Sequence, residues 1–205
     1  MNEPNLSPEE QSEQFQFVQS YYEETVFEKF SLRNAQLSNI EFYNCVFNSI
    51  VLINASFNSC RFEKCFFKNS DLSISKVINS SFLNVKFENC KLIGIDWTKI
   101  CQPVQIDFIK CKMNDSIFTA MDLRSTQIIS CEARNTDFEK TNLSKASLID
   151  TDLLNTTFAN TNLSSADLTD AKNYRIDPTK NNIRKAKFSL PDVVALLDQW
   201  DIEIK

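Results

Sequence analysis

Large apolar residues recur at every fifth position through most of the chain. Phe27, Leu32, Leu37, Phe42, Phe47, Leu52, Phe57, Phe62, Phe67, Leu72, Val77, Phe82, Phe87, Leu92 and Trp97 form an unbroken series. A helix repeats about every 3.6 residues and a half-buried strand every 2, so neither explains a beat of five. The backbone has to turn a corner at each repeat.

A second column lies two residues before each central residue and is mostly small, as at Ala35, Cys45, Ala55, Cys60, Ser70, Ser80 and Cys90. Residues two apart on an extended segment point to the same face, which predicts that both columns face inward. Charged residues flank the centres and should meet water. Asn recurs two places after the centre, at Asn34, Asn39, Asn44, Asn54, Asn69, Asn79, Asn84 and Asn89. Its tolerance of left-handed backbone suits it to the corners.

After Trp97 the beat moves by one residue and continues through Phe108, Met113, Phe118, Leu123, Ile128, Ala133, Phe138 and Leu143 to Leu168. This locates a one-residue insertion within residues 98–105. Lys99, Ile100, Gln102 and Pro103 form the expected loop, with Pro103 at a central place where its missing N–H suits a disturbed turn.

Like residues also repeat at twenty: Phe47, Phe67, Phe87; Leu52, Leu72; and, after the insertion, Phe118, Phe138, Phe158. Four five-residue units therefore close one coil, giving an all-β solenoid with four sides and these side chains stacked along its axis. At a strand spacing of about 4.8 Å, about seven coils make a rod roughly 34 Å long.

Three regions follow. Residues 1–19 form an N-terminal cap, with a short helix beginning at Ser7 (N-cap), Pro8 and Glu10. Residues 20–170 are the repeat body. Residues 171–205 form a C-terminal cap and tail, in which Ser189 caps a helix carrying Val193, Val194, Leu196, Leu197 and Trp200, and the alternation of Ile202 and Ile204 reads as a last strand. This apolar surface fits either an end cap or a two-fold dimer contact.

Composition narrows the chemistry. A single glycine rules out phosphate-binding and dinucleotide loops, and the absence of histidine removes the commonest general base. All seven cysteines are expected in the small inward column, with no CxxC pair to bind metal. Asp150 and Asp152 are read as solvated outer positions. No catalytic residues, metal or cofactor are expected, and the protein is read as a non-enzyme. A net charge of −5 and a pI near 4.9 speak against direct nucleic-acid or membrane binding. The polar, acidic start predicts no signal peptide and a cytoplasmic location.

The repeats TNLSK, ADLTD, CRFEK and CFFKN resemble the pentapeptide repeat family over about residues 20–170. The Phe- and Cys-rich first half, the irregular IGIDWTKICQPVQ and the ending from Asn173 are similar to the branch that protects DNA gyrase from poisons. The similarity is strongest to its albicidin-resistance members, with quinolone- and microcin-resistance members more distant. The resemblance implies a right-handed quadrilateral β-helix and a homodimer joined through Val193, Val194, Leu196, Leu197, Trp200, Ile202 and Ile204. It also implies an acidic, DNA-mimicking rod whose partner is DNA gyrase or topoisomerase IV. Residues 114–170 carry nine acidic against four basic side chains, and Asp122, Asp137, Asp150, Asp152, Asp167 and Asp170 are the candidate partner-facing acids. The alternative is a structural or adaptor repeat protein that binds another protein.

Overall fold

The computed structural model describes residues 16–200 together with residues 202 and 203. The predicted helix from Ser7 and the residue Ile204 lie outside the described residues. The backbone winds as an all-β solenoid of about eight turns, against the seven counted from the sequence. Its first side holds Tyr21–Glu23, Glu41–Tyr43, Arg61–Glu63 and Ser81–Leu83. The second side begins with Val26–Glu28, Val46–Asn48 and Phe66–Lys68 and continues to Ile128–Ile129. The third side is held by single bridges from Ser31 through Val51, Asp71 and Lys91, and the fourth opens with Gln36–Ser38, Ser56–Asn58 and Lys76–Ile78.

Neighbouring strands run parallel at an offset of twenty residues, pairing Phe42 with Phe62 and Phe47 with Phe67. Their hydrogen bonds lie along the rod axis. Glu41 N donates to Ser20 O at 2.8 Å, and Glu24 N donates forward to Tyr43 O at 3.0 Å. The winding runs past residue 170, because Asn162 bridges Asn182 and Asp167–Leu168 pairs with Lys187–Phe188.

The axis is filled by stacked rings. Phe27, Phe47, Phe67 and Phe87 follow one another at centroid distances of 4.9, 4.4 and 4.8 Å. Phe118, Phe138 and Phe158 do the same at 5.2 and 5.7 Å, and Leu52 and Leu72 are buried beside the first stack. The small inward column carries hydroxyls without leaving them unpaired. Thr141 Oγ1 donates to Phe118 O at 2.7 Å, and Thr161 Oγ1 to Phe138 O at 2.8 Å. Each such bond ties one coil to its neighbour and removes the penalty of a buried lone hydroxyl.

The corner two places after each centre has positive φ along the rod, including Asn34 (59°), Asn54 (56°) and Asn155 (58°). Asn54 Nδ2 also donates to Asn34 Oδ1 at 2.7 Å, so the corner amides form a short ladder. Ile74 occupies this corner at φ 54°, although a β-branched residue is strained there. Gly94 follows in the next coil, and a Cβ at Gly94 would lie 3.3 Å from Ile74 Cγ2. Because Ile74 is half exposed and loses little burial on replacement, Ile74→Asn should raise stability by about 1 kcal/mol. The check is a higher urea midpoint at an unchanged slope.

The last coil is covered by a 3-10 helix, Asp192–Trp200. Its entry departs from the sequence reading: the Ser189 hydroxyl accepts from Asp170 N at 2.7 Å instead of capping its own helix, and Asp192 Oδ1 accepts from Asn173 N at 3.2 Å. Both contacts fasten the helix to the coil beneath. Ile202 and Glu203 lie outside any strand, since alternation becomes a strand only where it pairs with a neighbour, and none of the described strands pairs with them.

Candidate functional site

Three features interrupt an otherwise uniform rod: the inserted residue, the acidic positions of the later coils, and the apolar end. The insertion begins with a 3-10 turn, Trp97–Lys99, which Asp96 caps by accepting from Thr98 N at 3.0 Å. The register across it is twenty-one residues, matching Phe87 to Phe108. Cys101 N still donates to Ser80 O in the old frame, whereas Gln105 N reaches Phe82 O at 3.0 Å. The extra residue is therefore absorbed between residues 101 and 105, as a bulge on the first side.

This placement corrects three expectations. Cys101 is exposed, because the slip comes after it and leaves it at an outward position equivalent to Ser81. Ile100 takes the inward place and is buried, so it belongs to the core rather than to a loop. Pro103 is exposed and not central; half-buried Val104 covers the core instead. The bulge leaves a cleft of about 320 Å³ bordered by Asn84, Lys86, Gln105, Asp107 and Arg124, and a smaller one of about 210 Å³ between Pro103 and Asp122.

The other six cysteines are buried and all seven are free thiols. Burial pushes the Cys60 thiol up and the Cys65 thiol to about 12, so neither supplies a reactive thiolate near neutral pH. A maleimide should therefore label one thiol in the folded protein, at Cys101, and seven in denaturant. Mass spectrometry of the labelled chain is the check. Among the described residues, no group of three or more His, Cys, Asp or Glu is placed to hold a metal ion.

The acidic candidates do not share a face. Asp122, Asp137, Asp152 and Asp167 sit at equivalent outward positions on four different sides, shown by their bridges to Asn142, Thr157, Lys172 and Lys187. Four of the six candidates are ion-paired: Asp122 with Arg124 at 2.7 Å, Asp152 with Arg134 at 2.7 Å, Asp150 with Lys172 at 3.4 Å and Asp167 with Lys187 at 2.9 Å. The bonds from Thr169 and Lys187 hold the Asp167 carboxyl below the usual carboxylate range. Asp137 accepts from Thr119 Oγ1 at 2.7 Å, and Asp170 is exposed at a corner. Residues 16–190 carry 19 acidic and 21 basic side chains, a net +2, so the negative charge of the chain resides in its two ends.

At the C-terminal end the predicted contact set divides. Leu196 is buried and Val193 is packed on the core, where they seal the last coil. Val194, Leu197, Trp200 and Ile202 remain 37 to 54 % exposed, with Leu190 beside them at 79 %. Sealing the rod thus uses only part of the apolar tail.

Comparison with known proteins follows the same lines. The pentapeptide repeat region model matches residues 39–102, and the model of eight pentapeptide repeats matches residues 136–172. No curated protein sequence matches the chain. The structure is similar to two trypsin-treated forms of QnrB1, a plasmid-mediated fluoroquinolone resistance protein. One gives a TM-score of 0.71 at 13% identity, covering 90% of this chain and 98% of that one. The other gives 0.65 at 14% identity, covering 88% and 99%. The repeat matches in both halves, laid on a coil that turns a corner every five residues, show that residues 39–102 and 136–172 of this chain are pentapeptide repeats.

Proposed function

We propose that this protein works by binding a protein partner rather than by catalysis, and that the partner is DNA gyrase, with topoisomerase IV as a related target. In this reading it protects the enzyme from a quinolone- or albicidin-type poison. The observation that carries the reading is the fold similarity to a fluoroquinolone resistance protein over nine-tenths of the chain. The exposed apolar end supports it by supplying a surface through which two rods could join into one longer rod. The pairing of the acidic side chains shifts the emphasis of the mimicry. A neutral-to-basic repeat body would have to engage the partner by shape and hydrogen bonding more than by charge.

The test is a purified gyrase supercoiling and cleavage assay with ciprofloxacin or albicidin. The expected result is restored supercoiling and less trapped cleavage as this protein is added. If neither changes at molar excess over gyrase, the reading is lost. The near neutrality of the repeat body favours a second reading, an adaptor that docks another protein on its outer faces. Affinity capture that returns such a partner and no topoisomerase subunit would select it.

A further inference from the structure

We propose that the first side of the rod is a self-association surface, on which two copies of this chain lie antiparallel with the bulge of each at the two-fold axis. Nine levels stack on this side, from Tyr21–Glu23 through the bulge at residues 101–105 to Asn182 and Ile183, and the bulge is the fifth. The charges are arranged about that midpoint. Glu23, Glu24 and Glu41 are exposed at the N-terminal end, and Lys145, Arg184 and Lys185 at the other. Among the described residues none of these six is in an ion pair. Between them Arg61 is paired with Glu63, and Arg124 with Asp122, while exposed Lys64, which donates to the Tyr43 hydroxyl at 2.6 Å, lies on the third level and faces Lys145 on the seventh.

From the level of Asn142 to that of Asn182 this side carries no acid on its outward positions. Asn142, Asn162 and Asn182 instead form an amide ladder at 3.1 Å per step. A two-fold axis through the fifth level brings Glu23 and Glu24 of one copy onto Arg184 and Lys185 of the other, and the reverse contact forms at the opposite end. The two ends of the side are therefore complementary to each other only in the antiparallel sense, and their attraction has to outweigh the like-charge contact of Lys64 with Lys145. Eight steps of about 4.8 Å and a flat strip roughly 10 Å wide give about 400 Å² per copy, half of what a standard interface buries. The contact is accordingly weak and salt-sensitive.

Cys101 is a native reporter of this arrangement, because the two-fold axis places both copies' exposed thiols close together while the other six are buried. The experiment is cross-linking of the full chain with a short bis-maleimide, read by mass. At low salt the expected product is a covalent dimer joined through Cys101, falling about tenfold at 1 M salt. Arg184→Glu with Lys185→Glu should abolish it, as should Glu23→Lys with Glu24→Lys. Mixing the two variants should restore it, since both contacts of the mixed pair are again between opposite charges. One reactive thiol per chain verifies that each variant is folded, and the salt dependence of the unaltered chain decides the matter without any variant. No cross-linked dimer at low salt, a yield independent of salt, or no restoration on mixing would each overturn the proposal.

Discussion

Phe67→Ala is expected to destabilise the folded chain by about 3–5 kcal/mol, the largest single effect in the repeat body. The Phe67 ring is 1 % exposed and lies between Phe47 at 4.4 Å and Phe87 at 4.8 Å, with Phe62 tilted against it at 5.6 Å. Its removal opens a void that these neighbours cannot close. Their backbones are pinned by parallel ladders on both sides, Phe47 to Phe67 and Phe67 to Phe87. A comparison on the same side of the rod separates packing from propensity. Val26 faces outward and is 60 % exposed, so Val26→Ala should change stability by no more than about 0.5 kcal/mol. Denaturant unfolding followed by far-UV circular dichroism measures both. Equal effects would mean that the stacked rings do not hold the rod together.

The second large effect is expected at the other end of the molecule. If the tail joins two rods as proposed, Leu197→Asp combined with Trp200→Ala should convert that dimer into monomers, halving the mass seen by light scattering. Both side chains are exposed beside Val194 and Ile202, whereas Val193 and Leu196 face the rod. The double substitution should therefore leave the sealed last coil intact while placing a charge in the apolar contact, where a buried unpaired carboxylate is strongly unfavourable. An unchanged mass would remove the tail from the dimer proposal. Loss of the coil's thermal transition along with the mass would show instead that these residues support folding.

Much of the fold was legible because the repeat writes its geometry at close range. Phe47 and Phe67 are twenty residues apart and alike, and stacking like rings requires only a coil of that length. The corner amides were equally readable, since Asn54 needs no distant partner to account for its left-handed backbone. Cys101 was misread because a slip known only to lie within residues 98–105 can leave it on either side of the wall. Which place it takes depends on whether Ser80 or Phe82 carries the next hydrogen bond, a choice made by the coil below. The candidate site was less legible for a related reason. The cations opposite Asp152 and Asp167 are Arg134 and Lys187, 18 and 20 residues distant in the sequence. Such pairs emerge only when the coil is wound, so a count along the chain recorded an acidic stretch where the rod presents neutralised rungs.

The axial direction of the backbone hydrogen bonds also determines how the gene can change length. Duplicating or deleting twenty residues would add or remove one storey and leave every surface column facing as before. Gaining five residues would rotate everything downstream by a quarter turn, setting each patch on a new compass bearing. The bulge shows a milder edit, in which a single inserted residue was looped out and the storeys above it kept their heading.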